Sequence, residues 1–153
     1  MFPIHAGEYN KPSFKPLPEG LYKVKITRPK EIKNKQETAK GINVTYSVTE
    51  GLFLGRIIFD SFYIEHPAKN FEENEINRLN GLMNSSKIKT LFTVFDLDGK
   101  LLTVKLKIKK ASPDGKFPEK NEVVDYYPYN YSEGDSERPS NNVETTEYDD
   151  INF

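Results

Sequence analysis

The sequence predicts an all-β domain with one helix, followed by a disordered acidic tail. Three observations predict this architecture. Apolar and polar residues alternate in short runs through most of the chain, which is the period of half-buried strands. One run, residues 70–86, changes to helical spacing. The last stretch, residues 132–153, is almost free of apolar side chains, so burial cannot offset the entropy lost on ordering it.

Five runs have the strand pattern. The third run is apolar at both parities, so the face that points inward cannot be read from it. The fifth run is short and ends before a proline. In chain order the five are LYKVKIT at 21–27, GINVTYSVTEG at 41–51, RIIFDSFYI at 56–64, LLTVKLKIKK at 101–110 and NEVVDYYP at 121–128.

The helix is predicted from "NFEENEINRLNGLMNSS", between the third and fourth strands. Ile76, Leu79 and Met83 lie at i, i+3 and i+7 with Leu82 beside them, which makes one apolar face. Asn70 is a candidate N-cap, and Glu73 three residues later completes the pattern of a capping box.

The element order is strand, strand, strand, helix, strand, strand. This is the order of the OB-fold, a five-stranded barrel whose helix lies between strands three and four. Another small β-barrel, or an α+β sheet of similar order, remains the alternative. We expect an extended arm over residues 1–18, which hold four prolines, the barrel domain over 19–131, and the tail over 132–153.

The net charge of −1 conceals two opposite charges. Residues 1–131 hold 21 Lys and Arg against 16 Asp and Glu, a net of +5, and residues 132–153 hold one Arg against seven acids, a net of −6. A basic body with an acidic tail indicates an interaction tail or a polyanionic partner.

Basic residues collect where an OB barrel would bind its ligand. That site lies across strands two and three, between the loop joining strands one and two and the loop joining strands four and five. The sequence places these loops at residues 28–41 and 110–120, and each is rich in lysine. Lysines that follow phosphates, with exposed rings that stack on bases, are the chemistry of single-strand binding.

The candidate binding residues are therefore the lysines and arginine of these segments and the rings near them. They are Lys23, Lys25, Lys33, Lys35, Arg56, Phe62, Tyr63, Lys105, Lys107, Lys109, Lys116, Phe117 and Tyr127. Each signal has a plainer explanation, since a lysine face is usually a solvated face and a strand ring usually belongs to the core.

Catalytic and metal-binding patterns are not expected. The sequence has no phosphate-binding loop, no nucleophile elbow and no cysteine. His5 and His66 begin no metal-ligand spacing. "DLDG" at 96–99 resembles the start of a calcium loop, but Lys100 and Lys107 fall on ligand positions, so a turn is the better interpretation. We expect a protein that is not an enzyme, with no cofactor, no metal, no membrane span and no signal peptide.

The tail ends "YDDINF", in which Asp149 and Asp150 are followed by Ile151 and Phe153. Acid alone would serve to compete for a basic groove, whereas an apolar end indicates a docking peptide for another protein. This ending resembles the C-terminal tip of bacterial and phage single-stranded DNA-binding proteins, although Asn152 stands where that family usually has proline.

The body resembles a family of small phage-encoded single-stranded DNA-binding proteins. The matching stretches are PLPEGLYKVKI, VTEGLFLGRIIFD with the helix that follows, and PEKNEVVDYYP, which together span most of residues 16–128. The resemblance implies an OB-fold and sequence-independent binding of single-stranded DNA without catalysis. It also implies a role in phage replication, recombination or repair in the cytoplasm of an infected bacterial host. The tip would then recruit host or phage replication and repair proteins, and self-association is left open.

A different class of function also fits the sequence. A β-barrel adaptor that binds proteins or oligosaccharide, with an incidental basic face, would have the same strand pattern and the same absence of catalytic motifs.

Overall fold

A computed structural model of the chain describes residues 1–9 and 15–132. Five strands form one antiparallel sheet with a single α-helix between the third and fourth strands, so the predicted order of elements is confirmed. The strands are β1 (Gly20–Lys33), β2 (Lys40–Val48), β3 (Ile57–Glu65), β4 (Leu101–Lys109) and β5 (Lys120–Tyr127), and the helix is α1 (Lys69–Ser85). Residues 1–9 and 15–18 carry no helix or strand.

The strands are ordered β3-β2-β1-β4-β5, so β1 is central and β3 and β5 form the edges. The first half of β1 pairs with β4, and most of its length pairs with β2. Alternate residues of β1 to β4 face one continuous core, as the period of two predicts, and a bulge in β5 lets both Val123 and Tyr126 face the same core. Tyr46 and Phe62 are the largest fully buried side chains of this core.

The prediction of a long basic loop at 28–41 is wrong. β1 continues through Pro29 to Lys33, because a bulge between Thr27 and Lys30 absorbs the residue that cannot donate a backbone hydrogen bond. Arg28 has a φ of 48° within this bulge. Only residues 34–39 join β1 to β2, where the Asn34 side chain accepts hydrogen bonds from the backbone of Thr38 and Ala39.

The start of α1 and its inner face also differ from expectation. The N-cap is Ala68, so the capping box at Asn70 and Glu73 is wrong, and Glu72 instead accepts a hydrogen bond from the His66 backbone. Leu79 and Leu82 are buried as predicted, but Ile76 is exposed. Its place on the inner face is taken by Glu75, which accepts from the Tyr63 backbone.

The edge strands β3 and β5 are joined by a buried polar network on the α1 side. Asp60 of β3 accepts hydrogen bonds from the Tyr46 hydroxyl at 2.9 Å, the Tyr126 hydroxyl at 2.7 Å and the Arg78 guanidinium at 2.7 Å. Arg78 also pairs with Glu75 at 2.9 Å. Burial raises the pKa of Asp60, and the Arg78 charge beside it acts in the opposite direction. Each member is paired, so the network ties both edges to the helix.

A second link joins the same edges near their first residues. The Asn121 side chain of β5 exchanges two hydrogen bonds with the Leu17 backbone, at 2.8 and 2.9 Å. Arg56, just before β3, donates to the Lys15 carbonyl at 2.6 Å. Residues 15–17 thus bridge the start of β3 and the start of β5.

Residues 128–131, which follow β5, form a strap across the outer surface of β1 and β4. The Lys23 ammonium donates to the carbonyls of Tyr129 and Tyr131 and lies 5.0 Å from the centre of the Tyr129 ring. Thr103 donates to the same Tyr129 carbonyl at 3.1 Å. The strap is therefore held against β1 and β4 as far as Tyr131.

"DLDG" lies at a turn into β4, as expected. A 3₁₀ helix, Val94–Leu97, precedes the turn, and Asp96 caps it by accepting from the Phe92 and Thr93 backbones. Within the described ranges, no helix is long and apolar enough to cross a membrane.

Candidate functional site

The outer face of β2 and β3 carries a large ring that the core does not use. Phe59 lies near the middle of β3 and is 73% exposed. Its cross-strand partner on β2 is Thr45. The neighbouring rows pair Asn43 with Ser61 and Ser47 with Ile57, so short polar side chains and one isoleucine surround the ring. An open ring above short polar neighbours is a platform on which a flat ligand can stack.

The sequence did not reveal Phe59, because the third run is apolar at both parities and its inward face could not be read from the pattern. An ionisable residue is expected to point outward, yet Asp60 points inward because Arg78, Tyr46 and Tyr126 satisfy it. Ile58, Asp60 and Phe62 of β3 therefore point inward, and Phe59 points outward. Phe59 shares the outward parity with Tyr63.

An edge cleft of about 850 Å³ lies between β3 and β5. Phe59 and Ile57 form part of the β3 wall, and Lys109 and Lys120 lie on the opposite side. The cleft is lined by five basic residues (Lys15, Arg56, Arg78, Lys109 and Lys120) and four acidic ones (Asp60, Glu75, Glu119 and Glu122), which gives a net of +1. Because Arg78 is paired with Asp60 and Glu75, the basic residues left to meet an anion lie at the two walls.

The three predicted lysines of β4 have different partners on β5. Lys105 lies opposite Asp125 of β5, and Lys107 lies opposite Glu122. Lys109 alone of the three faces another lysine, Lys120. Two of the three predicted lysines thus lie beside cross-strand carboxylates that the sequence could not place, and their contact with phosphates stays a prediction.

The remaining predicted basic residues are spread over the surface. Lys25 is exposed on β1, between Ser47 and Leu101 of the adjoining strands, while Lys23 is engaged by the strap and is not open to a phosphate in this structure. Lys33 forms an exposed ion pair with Glu37 at 3.4 Å. Lys35 and Lys116 are exposed in the two loops.

Two of the four predicted stacking rings are wrong. Phe62 is fully buried, with the Arg78 guanidinium 4.7 Å from its ring centre. Tyr127 is also buried, and Tyr131 of the strap stacks on it at 4.1 Å. Neither ring presents a free face to a base.

The other two predicted rings are accessible to different degrees. Tyr63 is half-buried beside His66 and Phe71 at the start of α1. Phe117 is largely exposed, and its backbone is fixed by hydrogen bonds to Ser112 in the loop between β4 and β5. Phe117 is thus the most exposed of the four predicted rings, and its exposure is close to that of Phe59.

The predicted docking residues Asp149, Asp150, Ile151 and Phe153 lie outside the described residues. Over the part of the chain that is described, no group of three or more His, Cys, Asp or Glu side chains is arranged to hold a metal ion.

Comparison with known proteins identifies a family. No curated protein matches the sequence. A family model with the description "Protein of unknown function (DUF669)" matches residues 5–136, which include all five strands and the helix. The chain therefore belongs to this family.

Proposed function

We propose that this protein binds single-stranded DNA without sequence preference and is not an enzyme. The observation that carries the proposal is Phe59, a ring left open on the outer face of β3 beside a cleft with lysines on its far wall. A phenylalanine there contributes nothing to the core. It offers instead a π-face to any base.

We propose that the fold is an OB barrel. The strand order, with β1 shared by both halves of the sheet and the helix between β3 and β4, supports this assignment. The network from Asp60 to Tyr126 and the bridge at residues 15–17 support closure between β3 and β5. In such a barrel the outer face of β2 and β3 is the binding face.

In this binding mode the DNA strand crosses β3 and the edge cleft. Phe59 stacks on one base, and Phe117 in the neighbouring loop is available for another. Lys109, Lys120 and Lys25 lie where phosphates of an extended strand pass. Because the cleft has a net charge of only +1, stacking supplies more of the affinity than charge does.

The test is a titration of fluorescent oligo-dT with Phe59→Ala and a matched control. Phe95→Ala removes a ring that is equally exposed, 70% against 73%, but lies in the 3₁₀ helix outside the edge cleft. Phe59→Ala should weaken binding by about 1–3 kcal/mol, and Phe95→Ala should leave it unchanged. Equal affinity of both variants would remove Phe59 from the site, and no binding by the wild type at low salt would reject the function.

We further propose that residues 19–131 are the binding domain and that residues 132–153 form a tail whose tip docks replication, recombination or repair proteins of a phage or its bacterial host. The support is the sequence of the tip and the resemblance of the body to phage single-stranded DNA-binding proteins. The cytoplasm of an infected bacterium is the corresponding location.

A protein-binding adaptor is the second candidate, and one observation favours it. Leu52 and Leu54 are exposed, at 90% and 66%, in the turn between β2 and β3, where Phe53 packs on Tyr22 and anchors the turn. Paired exposed leucines on an anchored turn are suited to a protein partner. Failure of every single strand to bind would favour this role.

A further inference from the structure

The N-terminal arm exposes large apolar side chains that no part of the described chain covers. All of residues 1–9 are exposed, and Met1, Phe2 and Ile4 are among the most exposed hydrophobic residues of the molecule, with Phe2 at 83%. Three such residues within four positions form an apolar segment rather than a scattered surface.

An open groove lies at the end of the sheet where β3 finishes. This end groove, of about 540 Å³, has an apolar lining and a charged rim. The lining consists of Ile32, Ile42, Ile64, Leu91, Phe92 and Val94. Phe92 stands at the groove with 85% of its surface exposed, so one wall is a ring that lacks a packing partner. None of residues 1–9 lines the groove.

The attachment point of the arm and the end groove lie at opposite ends of β3. The chain leaves the arm at Lys15, whose carbonyl is held by Arg56 just before β3 begins. The end groove includes Glu65, the last residue of β3. Nine residues of strand separate the two sites by roughly 25 Å.

We propose that the arm of one copy docks in the end groove of a second copy, head to tail. Ten residues lie between Ile4 and Lys15, so the eleven backbone steps reach up to about 36 Å, which is longer than β3. To enter its own groove, the arm would have to run back along β3 and cover Phe59. A neighbour's arm reaches the groove without crossing that face.

The size of the contact predicts a weak interaction. Three large apolar side chains contribute on the order of 500 Å², or roughly 1,000 Å² when both partners are counted, which is at the low end for protein interfaces. Head-to-tail contacts of this kind do not close on themselves, so they build chains of copies. On a shared DNA strand the local concentration rises, and the same contact makes binding cooperative; this last consequence rests on the proposed function.

The test begins without DNA, by sedimentation of the full chain over a wide range of protein concentrations. The wild type should self-associate weakly, and Phe2→Ser and Phe92→Ser should each weaken association by roughly tenfold or more. Phe95→Ser is the matched control and should behave as the wild type, because Phe95 is exposed but does not line the groove. All three replaced rings are exposed, so folding is expected to survive.

Mixing the two defective variants gives the sharpest result. Phe2→Ser keeps an intact groove and Phe92→Ser keeps an intact arm, so an equimolar mixture should recover pairs but no longer species. A wild type that stays monomeric at every concentration would overturn the proposal, as would self-association that neither substitution weakens. Protection of Phe92 by the arm within a monomer would instead assign the groove to the chain's own arm.

The measurement on DNA is separate. On long poly-dT, Phe2→Ser should lose cooperativity, while its affinity for an oligomer that holds one copy should equal that of the wild type. Absence of DNA binding would reject the proposed function and leave the sedimentation result standing. Unchanged cooperativity in Phe2→Ser would overturn the role of the arm on DNA.

Discussion

At the scale of single residues, Asp60 decides how β3 presents its side chains. Its carboxylate is nearly buried and is surrounded by two tyrosine hydroxyls and the Arg78 guanidinium. Burial also raises the pKa of Tyr46 and of Tyr126, so both remain neutral donors at ordinary pH. With this residue satisfied inside, Phe59 is forced to the outside.

Arg78→Met should destabilise the fold by about 3 kcal/mol, because it leaves the Asp60 charge buried without its cationic partner. Urea unfolding at neutral pH measures the change. Since burial raises the pKa of Asp60 in the folded state, stability from this group is greatest below its unfolded value of 3.8 and falls as pH rises through the folded pKa. The deficit of Arg78→Met should therefore shrink as the pH is lowered from neutral. A deficit independent of pH would show that Asp60 is not the cause, and a double-mutant cycle with Asp60→Asn checks the pair.

At the scale of elements, α1 carries an exposed stripe of asparagines, although asparagine lowers the stability of a helix. The stripe consists of Asn70, Asn74, Asn77, Asn80 and Asn84. Asparagine is a poor helix former because its amide competes with the backbone. Asn77→Ala should therefore raise the free energy of unfolding by about 0.5 kcal/mol.

Thermal unfolding measures the stability of Asn77→Ala, and Asn34→Ala serves as a comparison in which an asparagine has a structural role. The Asn34 side chain accepts two backbone hydrogen bonds in the turn between β1 and β2, so its loss should destabilise. A loss of stability in Asn77→Ala would show that the exposed amide has a structural role.

The pairing of β4 with β5 predicts which lysines contact phosphates. Lys109 and Lys120 lie opposite each other, whereas Lys105 and Lys107 lie opposite carboxylates. In the double variant in which Lys109 and Lys120 become Ala, the slope of log K against log salt concentration should decrease in magnitude. The decrease should be about 0.7 for each phosphate that is no longer neutralised. The matched double variant of Lys105 and Lys107 should change it less. A larger effect of the Lys105 and Lys107 variant would show that those two lysines contact the phosphates instead.

The element order could be predicted from sequence because burial on one face of a strand or helix imposes a period that the sequence displays. Features that depend on partners distant in the chain could not. The bulge that carries β1 through Pro29, the carboxylates opposite Lys105 and Lys107, and the strap over Tyr127 are all of this kind. The binding face was the least predictable part, since β3 is apolar at both parities and only the tertiary partners of Asp60 show that Phe59 points outward.

At the scale of the whole molecule, the strap places the last described residues near the candidate binding face. Tyr129 of the strap shares a hydrogen bond of 2.8 Å with Thr49, the residue after β2. The strap therefore lies near the end of β2, whose outer face carries Ser47 beside Ile57. We propose that the acidic segment that follows the strap in sequence competes with DNA for the basic residues of the body.

The tip gives a prediction that separates docking from charge. Phe153→Ala leaves every side-chain charge in place, so DNA binding should barely change. Binding to replication or repair proteins of the host should be lost, because their pocket loses its ring. A pull-down from host lysate with the wild type and the variant makes the comparison, and identical partners would show that Phe153 is not a docking residue.

Deleting residues 132–153 should leave the fold intact and strengthen DNA binding at low salt. The deletion removes a net charge of −6 and changes the protein from −1 to +5, so attraction to the phosphates increases. The gain should shrink as salt is added, because screening at about 10 Å in 0.1 M salt weakens long-range attraction more than stacking. Oligo-dT titrations at two salt concentrations measure both effects, with unfolding of the deleted protein as the control for stability. An affinity that does not change at low salt would mean that the tail neither repels DNA nor competes for its site.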